Sequence, residues 1–218
     1  MSGEDAALDA VLALGDPVRR GLYRYVVGAA GDVGRDAAAE AVGISRSLAA
    51  FHLDKLADAG LLDVTFRRAA GRAGPGAGRP AKLYRRAEAE HAVSVPPRAY
   101  DAAGALLAEV VERAGLDGEL QASARAAWRA EGAVSEAADP VEALRERGYE
   151  PYWDGSTLRL NNCPFHALTD RFPALVCGMN LAGIQGLLDG LPGGRGWRAA
   201  MDPHPRGCCV ALERTDDS

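Results

Sequence analysis

The spacing of apolar residues divides the first 60 positions of the chain into four helices. Apolar side chains recur every three or four positions within each stretch, as expected for a helix with one buried face. The caps agree with this division, because Asp16 precedes a proline and Ser45 stands where the last stretch begins. The pattern predicts helices over 5–14, 17–28, 35–41 and 46–59.

After Gly60 the spacing of apolar residues changes from every three or four positions, as in a helix, to every second position, as in a strand. Apolar and polar side chains alternate between Leu61 and Arg68, and a second short run lies between Lys82 and Arg86. Both runs are predicted strands, and the loop between them is rich in glycine and arginine. Two helices joined by a tight turn, followed by two strands with a basic loop, predict a helix-turn-helix with a wing.

The rest of the chain predicts two further helices and then a mixed helix and strand region. Each helix carries an apolar stripe that serves either a dimer interface or packing within one subunit. The stripe of the helix over 97–114 comprises Tyr100, Ala103, Leu107, Val110 and Ala114, and that of the helix over 118–132 comprises Leu120, Ala124 and Trp128. The later elements are a helix over 140–147, strands over 149–153 and 157–160, a helix over 173–190 and a strand over 208–213.

The predicted fold class is therefore α+β, in three parts. These are an N-terminal winged helix-turn-helix domain at 1–90, a helical dimerisation segment at 91–135 and a small α/β sensor domain at 136–218. With 48% apolar and 25% charged residues, the chain can bury a core. It has no apolar run near 18 residues and no leader-like start, so we expect a cytoplasmic protein without a membrane partner.

Positive charge is concentrated in one segment. The whole chain carries a net charge of −5, but residues 44–86 hold nine basic and three acidic residues, a net charge of +6, so the remainder carries −11. A basic block within an acidic chain indicates either a part that contacts phosphate groups or a solvated basic face, and the helix-turn-helix with a wing predicted for the same residues favours the first. Double-stranded DNA is the expected partner.

The candidate DNA contacts lie on the second helix of the helix-turn-helix and on the wing. The inward-facing residues of this helix are expected to be Leu48, Phe51, Leu53 and Leu56. The candidate contacts are Ser45, Arg46, Ser47, His52 and Lys55 on the helix, and Arg67, Arg72 and Arg79 on the wing. Arg46 either reads a base or binds a phosphate, and His52 either contacts a base or is a surface histidine. The wing arginines suit a minor groove or phosphates, unless the loop only faces solvent.

The segment from about 8 to 86 resembles the ArsR-type winged-helix repressors. The resemblance rests on Val-Gly-Ile-Ser-Arg-Ser-Leu-Ala-Ala-Phe-His-Leu-Asp-Lys-Leu at 42–56, Ala-Gly-Leu-Leu at 59–62 and Gly-Arg-Pro-Ala-Lys-Leu-Tyr at 78–84. It implies a transcriptional regulator that binds a palindromic operator as a homodimer, because two recognition helices must reach successive major grooves.

All four cysteines lie within the last 56 residues, at Cys163, Cys177, Cys208 and Cys209. Their spacing, Cys-x13-Cys-x30-Cys-Cys, lacks the paired Cys-x2-Cys of a zinc ribbon. Three thiolates from separate elements suit an iron–sulfur cluster. Cys208 is favoured over Cys209 because adjacent strand residues point to opposite faces. The fourth ligand is open between His166 and Cys209.

Other chemistry is compatible with the same residues. The zinc alternative uses Cys163, His166, Cys177 and Cys208. A thiol–disulfide switch and a set of buried free thiols are further alternatives. An enzyme with a Cys163–His166 pair is the alternative from a different class. We expect no catalysis, because the chain has no nucleophile elbow, P-loop, dinucleotide fingerprint or paired carboxylates.

The cysteine-containing region resembles the sensor half of SufR-type regulators. The similar residues are Cys-Pro-Phe at 163–165, the cysteine that follows Phe-Pro-Ala-Leu-Val at 172–176, and the late cysteine. The resemblance implies that Cys163, Cys177 and Cys208 ligate an iron–sulfur cluster, expected to be [4Fe–4S]. It further implies that the loaded dimer represses cluster-assembly genes.

Overall fold

The computed structural model describes residues 3–67, 80–204 and 207–215. The chain divides into two compact units, Met1–Arg98 and Ala99–Ser218. Each unit combines helices with an antiparallel sheet, and this mixed composition is compatible with the predicted α+β class. The helices predicted over 97–114 and 118–132 both fall in the second unit.

Two helices of the first unit begin directly after the capping residues that the sequence predicts, Asp16 and Ser45. Its elements are α1 Gly3–Ala13, α2 Pro17–Val27, β1 Val33–Gly34, α3 Arg35–Val42, α4 Arg46–Asp58, β2 Leu62–Arg67 and β3 Ala81–Arg86. The Asp16 carboxylate accepts a hydrogen bond from the Arg19 backbone N–H at 3.0 Å, and the Ser45 hydroxyl accepts one from Leu48 at 3.3 Å. Gly43 takes a left-handed φ of 71° and ends α3. The four predicted helices and two predicted strands of this unit are confirmed.

The sheet of the first unit has three antiparallel strands in the order β1–β3–β2. Strand β1 has two residues, which is too short for an alternating pattern to predict. Leu22, Leu53 and Tyr84, from α2, α4 and β3, are fully buried in one cluster. The wing candidates Arg72 and Arg79 lie outside the described residues.

The second unit contains a four-stranded antiparallel sheet whose strands lie in the order β4–β5–β7–β6. Its elements are α5 Tyr100–Ala114, α6 Asp117–Ala133, α7 Pro140–Glu146, β4 Pro151–Asp154, β5 Thr157–Leu160, α8 His166–Thr169, α9 Pro173–Gly190, β6 Trp197–Met201 and β7 Val210–Arg214. The short helix α8 and the strand β6 lie where the sequence predicts no element. Among the described residues, no helix is long and apolar enough to cross a bilayer.

Glycines bring α6 and α9 into backbone contact. A Cβ atom at Gly186 would lie 2.1 Å from the carbonyl oxygen of Arg125, and one at Gly190 would lie 2.2 Å from that of Arg129. These separations are far below van der Waals contact, so neither position has room for a side chain. We call this contact between Gly186, Gly190 and the α6 backbone the glycine seam. It holds α9, which carries one of the cysteines, directly against α6.

The apolar stripes of α5 and α6 differ in exposure. On α6, Leu120 and Trp128 pack into apolar clusters of the second unit, so that stripe serves packing within the chain. On α5, Tyr100, Leu107 and Val110 are 75%, 68% and 51% exposed. The other side of α5 packs against the first turn of α9. Within residues 3–67, 80–204 and 207–215, the large side chains of the predicted α5 stripe thus remain exposed.

Candidate functional site

Helix α4 presents a different face to solvent from the predicted one. Its buried residues are Ala49, His52, Leu53 and Leu56. They occupy the i, i+3, i+4 and i+7 positions of one helical stripe. Leu48 and Phe51 are 40% and 55% exposed, so the prediction that they face inward is wrong. Ala49 and His52 form the buried stripe together with Leu53 and Leu56. Leu48 and Phe51 therefore lie on the exposed side of the helix.

His52 lies in the core of the first unit and not on the outer surface of α4. It is 8% exposed, and its ring meets the Phe51 ring edge-on with the centroids 5.3 Å apart. The Nδ1 atom is buried and has no hydrogen-bond partner in the described part of the chain. A ring enclosed in this way does not reach a base. The prediction of His52 as a DNA contact is therefore corrected, because the helical stripe buries it.

The other described DNA-contact candidates are at the surface. They are Ser45, Arg46, Ser47, Lys55 and Arg67. Arg46 pairs with Asp36 of α3 at 2.6 Å, and Arg67 pairs with Asp32 at 2.8 Å. The two arginine side chains are 69% and 71% exposed. Exposed ion pairs contribute only about 0–1 kcal/mol, so either arginine can exchange its carboxylate for a phosphate or a base.

Asp54 ties α4 to α3 and β3. Its carboxylate accepts hydrogen bonds from Lys82 Nζ at 2.6 Å, from the Tyr84 hydroxyl at 2.6 Å and from the Arg35 guanidinium at 2.9 Å. Burial opposes the ionised form, but the hydrogen bonds and cationic charges outweigh it and lower the pKa of Asp54. The network holds the exposed face of α4 in place. Its members are too far apart in sequence for any periodic pattern to reveal.

The four cysteines come from three separate parts of the second unit, and their thiol groups shift one another's pKa. Cys163 follows β5, Cys177 lies near the start of α9, and the doublet precedes β7. These pKa effects connect neighbouring thiols in the order Cys163, Cys208, Cys209 and Cys177. Cys163 and Cys208 are buried, and the other two are half-buried. We call this set the thiol chain.

The cysteine doublet precedes the last strand instead of beginning it. The predicted strand over 208–213 starts at Val210 in the structure. Gly207 has a φ of 98°, and the Cys208 backbone N–H donates to the Leu160 carbonyl at 2.8 Å. Cys208 is buried and Cys209 is half-buried, so the expectation that Cys208 is the inward-facing residue of the doublet is confirmed. Cys209 also interacts with Cys177, because each of these two thiols shifts the pKa of the other.

A buried amide points at the sulfur of Cys208. Asn180 Nδ2 donates to Cys208 Sγ at 3.1 Å, and Asn180 is 1% exposed. The Asn180 oxygen accepts a hydrogen bond from the buried hydroxyl of Tyr149, which orients the amide. Burial, followed by the negative charge of the neighbouring thiolates, raises the pKa of Tyr149, so its hydroxyl stays a donor. An N–H donor favours negative charge on sulfur, as in a metal-bound thiolate.

The thiols shift one another's pKa in opposite directions. The neighbouring Cys208 thiol lowers the pKa of Cys163 against the effect of burial, and the backbone N–H of Phe165 acts in the same direction as Cys208. The same thiol lowers the pKa of Cys209 to about 6. Interaction with these two neighbours, together with burial, raises the pKa of Cys208, while burial raises the pKa of Cys177 to about 12. Negative charge is thus supported at two of the four sulfurs.

The His166 backbone N–H donates to the Cys163 carbonyl at 3.0 Å, while its side chain has a different neighbour. It is exposed at the start of α8, and its Nδ1 atom is 3.5 Å from the Thr169 hydroxyl. Within residues 3–67, 80–204 and 207–215, no three His, Cys, Asp or Glu side chains are arranged as ligands for a single metal ion. Of the two candidates for a fourth ligand, Cys209 is the one that the structure brings to the other cysteines.

We expect Asn180→Leu to lower the free energy of unfolding by about 1–3 kcal/mol, because the buried Tyr149 hydroxyl loses its acceptor. The double variant Tyr149→Phe/Asn180→Leu should recover part of this loss, since it leaves no unpaired polar group on either side chain. Urea unfolding of both variants and of Tyr149→Phe completes a double-mutant cycle. Strictly additive effects would show that the two side chains are not coupled.

The comparisons with known proteins identify no relative of this chain. No family model, curated protein or solved structure matches it. The exposed face of α4 and the thiol chain therefore carry the functional interpretation.

Proposed function

We propose that this chain is a winged-helix transcriptional repressor of the ArsR type, with a SufR-like sensor unit whose iron–sulfur cluster controls operator affinity. The observation that carries the proposal is the thiol chain, in which cysteines up to 46 residues apart in sequence shift one another's pKa. Buried free thiols behave as small apolar side chains and need no such convergence. An iron–sulfur cluster requires several soft anionic ligands from different directions.

In this proposal the cysteines supply the soft thiolate ligands of a cluster, and ligation draws together side chains that the described part of the structure does not arrange around a single metal ion. Cys163, Cys177 and Cys208 would hold the cluster, and Cys209 is the candidate for the fourth position. Asn180 would keep its hydrogen bond to a ligand sulfur, and such bonds set the reduction potential of clusters. A [4Fe–4S] cluster at this site would be lost when iron is scarce or when oxidants are present, so the occupancy of the site would report on both conditions. Zinc or a disulfide would use the same residues, and metal and sulfide analysis separates the three.

The first unit would supply the DNA-binding surface. Helix α3, the turn at Gly43 and α4 follow one another as in a helix-turn-helix, and β2 and β3 stand in the position of a wing. Ser45, Arg46 and Lys55 are exposed on α4. The net charge of +6 over residues 44–86 attracts the phosphate backbone. In this proposal α4 is the recognition helix.

The exposed stripe of α5 suits the pairing of two chains into a homodimer. Tyr100, Leu107 and Val110 are uncovered, and a palindromic operator requires two recognition helices. The opposite side of α5 packs against Val176, the neighbour of Cys177. Ligation at Cys177 would therefore bias the position of α5 and the geometry of the dimer. A coupling free energy of about 1–3 kcal/mol would change operator affinity about 5- to 150-fold.

Selection from a random double-stranded DNA library tests the DNA-binding part of the proposal. The protein is purified without oxygen, so that any cluster is retained. We expect enrichment of a palindrome whose half-sites are centred about 10 base pairs, or a multiple of that, apart. A protein that enriches no sequence would contradict this part.

We expect Arg46→Ala to weaken binding to the selected operator by about 1–3 kcal/mol if Arg46 reads a base. The fold should persist, because the exposed pair with Asp36 contributes at most about 1 kcal/mol. Fluorescence anisotropy with the operator and with a scrambled duplex measures the effect. Arg195→Ala, which removes an exposed arginine of the second unit, is the matched control. Unchanged operator affinity in Arg46→Ala would exclude Arg46 from the interface, and equal losses on both duplexes would assign it to phosphate.

A further inference from the structure

Two large apolar side chains stand on the exposed face of α4. Leu48 and Phe51 are one helical turn apart, which makes them neighbours on the same face. Phe51 is 55% exposed, although aromatic side chains usually contribute to a core. The buried stripe of α4 consists of Ala49, His52, Leu53 and Leu56, so Phe51 falls outside it. The Phe51 ring meets the His52 ring edge-on, with the centroids 5.3 Å apart.

The surroundings of this pair indicate a polyanion with apolar groups as its partner. Arg46 and Ser47 lie before the pair, Lys55 follows Phe51 by four residues, and all three are exposed on the same helix. A cationic rim of this kind is complementary to DNA phosphates. In the major groove the apolar group on a base edge is the 5-methyl group of thymine, which Phe and other apolar side chains contact.

We propose that Phe51, with Leu48 beside it, reads thymine 5-methyl groups in the operator. The inference rests on the proposed function, because it requires α4 to lie in the major groove. Phe51 is the sixth residue of α4 and lies about 7.5 Å along the helix axis from Arg46. The thymine should therefore be a different base from the one nearest Arg46. Phe51 is then a specificity-determining residue.

Replacement of thymine by uracil in the selected operator tests the inference directly, because uracil lacks the 5-methyl group and keeps the same hydrogen-bonding edge. Each thymine is replaced in turn, in both half-sites. We expect one position to lose affinity about fourfold per half-site, the factor for one buried methyl group. Phe51→Ala should bind the thymine operator more weakly and show no further loss with uracil at that position. Phe51→Leu should retain part of the discrimination.

The controls separate this inference from the function on which it rests. Val95→Ala removes an apolar side chain of the first unit that is 89% exposed and lies outside α4, and it should behave like the wild type. Tight operator binding that no uracil replacement weakens would overturn the inference and leave the proposed function intact. Equal uracil effects in the wild type and in Phe51→Ala would also overturn it. A protein that selects no DNA sequence would overturn both.

Discussion

Serine in place of Cys163, Cys177 or Cys208 should abolish cluster binding. A serine hydroxyl stays protonated near neutral pH and is a hard oxygen donor, so it does not replace a soft thiolate on iron. We expect each variant, purified without oxygen, to contain at least about tenfold less iron and sulfide than the wild type. Loss of a residue that only contacts a metal ligand can already reduce metal affinity about 10- to 100-fold, and loss of a ligand itself should reduce it at least as much. Operator affinity should fall to that of the cluster-free wild type.

The four cysteine positions provide internal controls for this experiment. Cys163 and Cys208 are buried, so their variants need a thermal unfolding curve to show that the fold persists. Cys177 is half-buried, and its replacement perturbs packing less. Cys209→Ser shows whether Cys209 is the fourth ligand. The variant should contain less iron if Cys209 is a ligand, and as much iron as the wild type if it is not. A Cys177→Ser protein with wild-type iron and sulfide would contradict the proposed ligand set.

Gly186→Ala should disrupt the second unit. The added Cβ atom would lie 2.1 Å from the Arg125 carbonyl oxygen, and backbone on both sides leaves no side chain to move away. Overpacking costs about 1–3 kcal/mol and occasionally more, and a clash between two helix backbones belongs at the upper end. The higher helix propensity of alanine returns only about 1 kcal/mol. Urea unfolding should show a lower midpoint, and separation of the helices should also move Cys177 and Asn180.

Gly118→Ala is the matched control for the glycine seam. Gly118 lies on α6, and a Cβ atom there would meet nothing within 4 Å. The control variant should be as stable as the wild type or slightly more stable, because alanine favours the helix. If Gly186→Ala unfolds at the same urea concentration as Gly118→Ala, the close contact between α6 and α9 is not present in solution.

The elements with local chemical signals could be predicted from the sequence. Helices α2 and α4 begin directly after Asp16 and Ser45 because each of these side chains caps the helix that follows it, and both caps are present. Strands β2 and β3 follow from alternation, and their pairing is antiparallel. The positions of all four cysteines are visible in the sequence, but their connection through the thiol chain is not.

The remaining features depend on tertiary contacts. The buried face of α4 could not be derived from its large apolar residues alone. Ala49 and His52 occupy the buried stripe with Leu53 and Leu56, in place of Leu48 and Phe51. The sequence predicts the cysteine doublet as the start of a strand over 208–213, whereas the strand begins at Val210, after the left-handed backbone conformation of Gly207. Asn180 is the one missed residue with a visible signal, since it is a polar residue within the apolar run of α9.

The operator affinity of one protein sample with and without its cluster is the most direct test of the central claim. The protein is purified without oxygen and analysed for iron, sulfide and visible absorption. Half of it is then freed of metal by chelation under reducing conditions, and both halves are titrated with the selected operator. The account predicts an iron- and sulfide-containing form that binds at least about fivefold more tightly than its metal-free counterpart. Iron-free protein from the anaerobic preparation, or equal affinity of the two forms, would contradict it.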